Sequence, residues 1–158
     1  MKMRKGFTLI ELLIVLAIIA ALMAVVTPIA LNAVRKAKAT QVAENFRNIK
    51  SAVESYVNIQ QNLPSDLADI YQEGYLNSDL SDQFSLVTTG SFDTGFATVV
   101  IAYDLKDVTL EALKAVYPEI LSKSDYTSET GKKLDSYFDD TKLPAASPII
   151  VLEFQKWW

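Results

Sequence analysis

The chain has 158 residues, a net charge of −4, and neither cysteine nor histidine. Its length suits one domain, and the missing cysteines exclude a disulfide framework. The absence of both residue types also excludes the usual transition-metal ligands and any catalytic site that needs a histidine base. No phosphate-binding glycine loop occurs either. The composition therefore predicts a protein that is not an enzyme.

The N-terminus combines a short basic leader with a long apolar run. Lys2, Arg4 and Lys5 precede Gly6, and no polar side chain occurs from Leu12 to Val26. Only Thr27, Pro28 and Asn32 interrupt the stretch before Arg35, so it is about 23 residues long, enough to cross a bilayer as a helix. It is too long for the apolar core of an ordinary secretory signal, which would be removed. An uncleaved membrane anchor is a second alternative for this stretch.

One carboxylate, Glu11, interrupts the apolar run. A charge at membrane depth costs about 2.5–3.5 kcal/mol on insertion scales. Glu11 either lies close enough to the cytoplasmic interface to stay hydrated, or it meets a partner charge later. We favour a partner charge, because a plain anchor would carry an apolar residue at this position.

The sequence from Gly6 to Glu11, Gly-Phe-Thr-Leu-Ile-Glu, resembles the processing motif of type IV pilins and of the related pseudopilins of type II secretion. The resemblance covers roughly residues 1–60. It implies that a prepilin peptidase cuts after Gly6 and that Phe7, the new N-terminal residue, is N-methylated. Glu11 matches the family's glutamate, and Pro28 matches the proline that bends its N-terminal helix.

The register of assembly implied by this resemblance depends on one charge pair. Cleavage after Gly6 creates a cationic amine on Phe7, one helical turn before Glu11. Opposite charges in an apolar surround neutralise each other, whereas an unpaired charge is strongly penalised. The amine of an incoming subunit would set the axial register by meeting Glu11 of its neighbour. A pair within one chain is also geometrically open.

Residues 7 to about 61 are predicted to form one helix, because no glycine occurs between Gly6 and Gly74 and the only breaker is Pro28. The first half of this helix is apolar on every side, which requires a surround of lipid or of other copies. The second half is amphipathic, with apolar residues at spacings of three and four that predict a core-facing stripe. These residues are Val42, Phe46, Ile49, Val53, Tyr56 and Val57.

Shorter elements follow the long helix. Ser65 is expected to cap a helix from Asp66 to Glu73, which stops at Gly74. Runs of β-branched and aromatic residues predict three strands, the first two joined by a loose hairpin connection at 90–95. The predicted strands are 84–88, 96–104 and 149–154.

A further helix is predicted after the second strand. Thr109 is expected to cap it and Pro118 to kink or end it, and Ile120 and Leu121 are expected to continue its apolar face after a break. The sequence then becomes polar from Ser122 to Ser147.

The polar segment offers weak calcium candidates in Asp135, Asp139 and Asp140, although their spacing does not fit an EF-hand loop. A solvated loop is the alternative, and no cofactor is expected. The terminal Trp157 and Trp158 are expected to pack back on the sheet rather than to form an exposed adhesive tip.

Taken together, the residues and the resemblance predict an α+β, pilin-like fold with a long N-terminal helix packed on a small antiparallel β-sheet. The expected division is a leader at 1–6 that is removed on maturation, a membrane and polymerisation helix at 7–34, and a globular body at 35–158. The body is acidic, with eight acids and no base from Ser51 to Leu105, so direct nucleic-acid binding is not expected.

The expected function is that of a structural subunit of a type IV pilus-like filament. The resemblance implies several partners: membrane lipid before assembly, the prepilin peptidase, an inner-membrane assembly platform, and further copies or related pilins. The precursor is expected in the bacterial inner membrane and the mature subunit in a pilus at the cell surface. A type II secretion pseudopilin in a periplasm-spanning pseudopilus is one alternative, and a membrane-anchored periplasmic binding module is another.

Overall fold

The computed structural model describes residues 6–92, 95–122, 124–126 and 147–155. The chain divides into two units, residues 1–37 and 38–158. The helices are α1 (Leu9–Gln60), α2 (Leu67–Gln72) and α3 (Leu110–Val116). The strands are β1 (Phe84–Ser91), β2 (Phe96–Tyr103), β3 (Leu121–Ser122) and β4 (Pro148–Gln155).

The four strands form one antiparallel sheet in the order β1-β2-β4-β3. The C-terminal part of α1 packs on this sheet through apolar side chains that recur every three or four residues. Its buried members are Ala39, Val42, Ala43, Phe46, Ile49, Ala52, Val53 and Val57. The predicted α+β fold, with a long helix on a small antiparallel sheet, is therefore confirmed.

Three aromatic rings join α1 to the two N-terminal strands of the sheet. The ring of Phe46 meets the ring of Phe84 edge-on at a centroid distance of 5.0 Å. The ring of Tyr103 lies 5.0 Å from that of Phe84 and 6.5 Å from that of Phe46. Such contacts add about 0.5–1.5 kcal/mol per pair to the free energy gained by burial. Phe46 is thus a core residue, as its place in the stripe predicts.

Polar contacts fix the same helix to the segment between β2 and β3. Lys38 forms an ion pair with Asp107, whose carboxylate also accepts a hydrogen bond of 2.6 Å from the Tyr103 hydroxyl. Farther along α1, Lys50 pairs with Glu119 at 2.7 Å. The Arg47 guanidinium donates to the carbonyl of residue 116 at 3.2 Å and lies 4.7 Å from the centre of the Tyr117 ring. These contacts hold α1 to this segment in addition to the apolar packing on the sheet.

Both α1 and α2 begin later than predicted, and the capping residue of α2 also differs. The N-cap of α2 is Asp66, whose carboxylate accepts from the amide of Leu67 at 2.6 Å, so the prediction of Ser65 as the cap was wrong. The predicted stop is confirmed: Gly74 has a φ of 82°, a conformation that glycine adopts without steric cost. The amide of Tyr75 then donates to the carbonyl of Ile70, which closes the helix end.

The hairpin between β1 and β2 is tighter than predicted. The strands pair along eight residues each, from Phe84 opposite Tyr103 to Ser91 opposite Phe96, so the prediction that β1 ends at 88 was wrong. Gly90 is part of the strand rather than of a loose connection. A Cβ atom there would lie 2.6 Å from the carbonyl oxygen of Phe96, so glycine permits the close approach of the two strands.

The region after α3 also differs from the prediction. Thr109 caps α3 as expected, since its hydroxyl accepts from the amide of Ala112 at 3.4 Å. The helix ends at Val116 because Pro118 disfavours helical geometry at the preceding residue, Tyr117, which is extended. Leu121 does not continue a helical face but begins the short strand β3, which pairs with β4. Trp157 and Trp158, predicted to pack on the sheet, lie outside the described residues.

A matched pair of substitutions on α1 tests the packing. Ile49 is fully buried and Ile59 is 68% exposed, on the same helix. Ile49→Ala should lower the free energy of unfolding by about 2–5 kcal/mol because it opens a cavity. Ile59→Ala should change it by less than about 0.5 kcal/mol. Denaturant unfolding of both variants measures the difference, and equal effects would contradict the packing described here.

The ion pair at Lys38 predicts a pH dependence of stability. Lys38 and then the Tyr103 hydroxyl lower the pKa of Asp107 in the folded state. Its contribution is therefore present above the pKa of the unfolded chain and is lost as the pH falls from about 5 to about 2.

Asp107→Asn keeps an acceptor for Tyr103 but removes the charge, so the variant should lose less stability over this pH range than the wild type does. The expected difference is within about 1 kcal/mol, because the pair is partly exposed. Melting temperatures measured against pH provide the test, and parallel curves for the two proteins would count against the pair.

Candidate functional site

The segment before α1 contains the residues that the sequence singles out for processing. Gly6, Phe7 and Thr8 precede the helix and are exposed. The structure thus places the predicted cut between Gly6 and Phe7 in exposed, non-helical chain, a conformation that a peptidase can reach. The basic residues of the leader lie outside the described residues.

Thr8 and Glu11 form a reciprocal cap at the start of α1. The Thr8 hydroxyl oxygen accepts from the amide of Glu11 at 3.3 Å. In return, Oε2 of Glu11 accepts from the amide of Thr8 at 2.8 Å and from its hydroxyl at 2.6 Å. This is the capping box, a threonine followed three residues later by a glutamate, which satisfies two amides that have no partner within the helix. It explains why α1 begins at Leu9 and not at Phe7.

The cap gives Glu11 a role that the sequence reasoning missed. Both hydrogen bonds from Thr8 reach Oε2, and within the part of the chain that the structure describes, none reaches Oε1. One carboxylate oxygen is thus held by the helix start, and no described residue donates to the other. The signal was present in the sequence as Thr-x-x-Glu before an apolar run.

The surface of α1 beyond this cap is apolar. Every large apolar side chain from Leu9 to Val34 is exposed. By length and composition, α1 is able to cross a membrane, and the most apolar part of it has no residue buried within the protein. Exposed apolar surface of this extent marks contact with lipid or with other protein chains.

Pro28 lies inside α1 and does not end it. Proline lacks the amide that would bond to the carbonyl four residues earlier. The neighbouring Thr27 hydroxyl donates to the carbonyl of Met23 at 2.7 Å, which supplies an additional bond to the backbone just before this position. A bend at Pro28 stays a prediction.

Metal binding receives no support from the described part of the chain, where no group of three acidic side chains could hold a metal ion. The calcium candidates Asp135, Asp139 and Asp140 lie outside the described residues. Calcium binding there stays a prediction.

Comparison with protein families bears directly on the N-terminal segment. A model described as the prokaryotic N-terminal methylation motif matches residues 1–27. The chain carries the methylation motif that is the hallmark of type IV prepilins and pseudopilins. The resemblance drawn from Gly6 to Glu11 is therefore confirmed. Comparison with curated proteins and with solved structures finds no match.

The methylation motif and the long apolar helix fit a type IV pilin-like or pseudopilin subunit. They also fit a precursor in the inner membrane, processing by a prepilin peptidase, and polymerisation with other pilins. The match ends at residue 27, one position before Pro28. It covers the capping box of Thr8 and Glu11 and leaves the body without a family assignment.

Removing the Thr8 hydroxyl tests the capping box. Thr8→Val keeps the shape of the side chain but removes the acceptor for the amide of Glu11. Loss of an N-cap costs about 1 kcal/mol, so this amide should exchange with solvent about fivefold faster. Hydrogen exchange followed by NMR in micelles measures it. Thr27→Val is the matched control, because the Thr27 hydroxyl donates to a carbonyl and should leave exchange at Glu11 unchanged; equal exchange in all three proteins would refute the cap.

Proposed function

We propose that this protein is a structural subunit of a type IV pilus-like filament. The observation that carries the proposal is the combination of the methylation motif with a helix that exposes apolar side chains all round. In this proposal the chain enters the inner membrane as a precursor, loses residues 1–6, is N-methylated at Phe7 and polymerises through residues 7–34. Residues 35–158 form the body at the filament surface, and the protein's work is structural rather than catalytic.

The apolar helix supports polymerisation on physical grounds. A helix without a polar face is stable only where lipid or protein surrounds it on every side. Lipid meets this requirement before assembly. After extraction from the membrane, the same surface needs other apolar helices around it, and identical copies supply them. The small residues Ala17, Ala20, Ala21 and Ala24 allow such helices to approach closely.

The capping box supports a role for Glu11 in assembly. A carboxylate in an apolar surround is costly, and the two hydrogen bonds from Thr8 offset part of that cost. The remaining oxygen is open to the amine that cleavage creates on Phe7 of an incoming subunit. Pairing between chains would neutralise both charges and fix the axial register.

One substitution separates the charge of Glu11 from its capping role. Glu11→Gln preserves the capping box, because a glutamine oxygen accepts the same bonds, but it removes the charge. Membrane insertion and cleavage should continue. The yield of filaments should fall by about tenfold or more, since removing one partner leaves the Phe7 amine unpaired in an apolar surround.

Filaments sheared from cells and pelleted, compared with the membrane pool by immunoblot, give this yield. Thr8→Val is the control, because it weakens the cap and retains the charge, so its yield should stay closer to that of the wild type. Normal yield from Glu11→Gln would contradict the register role.

The motif fits a type II secretion pseudopilin equally well, so the location of the filament distinguishes the two. Mature protein in filaments sheared from the cell surface supports the pilus. Mature protein confined to the cell envelope supports the pseudopilus. An unprocessed chain would instead favour a membrane-anchored binding module.

A further inference from the structure

A polar groove of about 290 Å³ runs along the body beside α1. One wall is α1 itself, through Asn45, Asn48, Ser51 and Ser55. These residues are spaced by three or four positions and therefore share one face of the helix. The opposite wall lies between α2 and β1 and comprises Tyr75, Leu76, Asn77, Ser78 and Leu80.

The wall opposite α1 is held in place at both of its ends. The amide of Tyr75 donates to the carbonyl of Ile70 at 3.1 Å, which ties this end to α2. The carbonyl of Leu80 accepts from the amides of Gln83 and Phe84, each at 3.0 Å. A groove with fixed walls binds its ligand without the cost of ordering a loop.

The groove is rich in hydrogen-bonding groups that carry no charge. Among the residues that the structure describes, those lining the groove include no acid and no base. The carboxamides of Asn45, Asn48 and Asn77 make no hydrogen bond with any described part of the chain. Each offers two donors and one acceptor to a ligand.

The floor of the groove is apolar. Ala52 and Leu76 line it and are buried in the core. Tyr75 adds an aromatic ring, which an edge-on contact with the ring of Tyr56 holds at a centroid distance of 5.5 Å. The groove therefore combines neutral polar walls with an apolar and aromatic base.

We infer that this groove is a binding site for a neutral carbohydrate. Each hydroxyl of a sugar both donates and accepts, as a carboxamide does, so neighbouring hydroxyls match the amides of Asn48 and Asn77. The carbon-bound hydrogens of the sugar ring pack on Ala52, Leu76 and the ring of Tyr75. The described lining residues offer no cation to a phosphate and no carboxylate to a metal ion.

A single open groove of this size binds a monosaccharide weakly, with a Kd of about a millimolar. Repetition of the groove along a filament would raise the apparent affinity for a surface that displays many sugars by about 10²–10⁴-fold. That gain rests on the proposed function, whereas the groove itself belongs to each single chain.

The test is an NMR titration of the full-length chain in dodecylphosphocholine micelles, a detergent that carries no sugar. D-glucose, D-galactose and N-acetyl-D-glucosamine are added separately, with inorganic phosphate as a charged comparison. We expect at least one sugar to shift the side-chain amide signals of Asn48 and Asn77 saturably, and phosphate to leave them unchanged. Absence of a saturable shift with all three sugars would overturn the inference.

Substitutions assign any binding to the groove. Asn48→Ala and Asn77→Ala, one on each wall, should each raise the Kd by about five- to tenfold. Asn58→Ala is the matched control, because Asn58 is an exposed asparagine on the same helix that does not line the groove. An unchanged Kd in both groove variants would overturn the inference.

The titration is independent of the proposed function, because it needs neither cleavage nor polymerisation. Normal filaments from a chain that binds none of the sugars would refute the sugar site alone. Saturable binding by a chain that is never processed would refute the filament proposal alone.

Discussion

The apolar surface of α1 from Leu9 to Val34 is the constraint on which the rest of this protein depends, because its side chains are exposed around the whole helix. Burying one such leucine, isoleucine or valine side chain is worth about 1.5–3 kcal/mol, so the helix cannot remain in water. Lipid and the apolar helices of other protein chains are surrounds that satisfy it. The methylation motif matches residues 1–27 and so overlaps most of this surface.

Glu11 is the one charged residue within that surface. Its hydrogen bonds explain how the start of the helix accommodates a carboxylate. Thr8 engages one of its carboxylate oxygens, which starts the helix and lowers the cost of carrying a charge in an apolar surround. Within the described part of the chain no hydrogen bond reaches the other oxygen. In the proposed filament one residue thus starts its own helix and pairs with the Phe7 amine of a neighbour. The body folds around a separate core, in which Phe46, Phe84 and Tyr103 join α1 to the sheet.

The sequence predicted most of the features that depend on regular spacing or on a specific motif. The apolar stripe from Val42 to Val57 identified the packed face of α1, because helical periodicity is a strong signal over so many residues. Features that depend on tertiary pairing were less accessible. Leu121 was predicted to continue an apolar helical face. It lies in β3 instead, because β4 offers a partner strand. Gly90 was predicted to be a turn residue. The structure shows that it lies in β1, where the absence of a Cβ atom leaves room for the Phe96 carbonyl. The groove beside α1 was also missed, since it joins Asn48 to Asn77 across two segments of the chain.

The measurement that tests the central proposal most directly is the intact mass and N-terminal sequence of the protein recovered from sheared cell surfaces. The proposal predicts a chain that begins at N-methylated Phe7, lacks residues 1–6 and pellets with filaments. An unprocessed chain beginning at Met1 and found only in the membrane would contradict it.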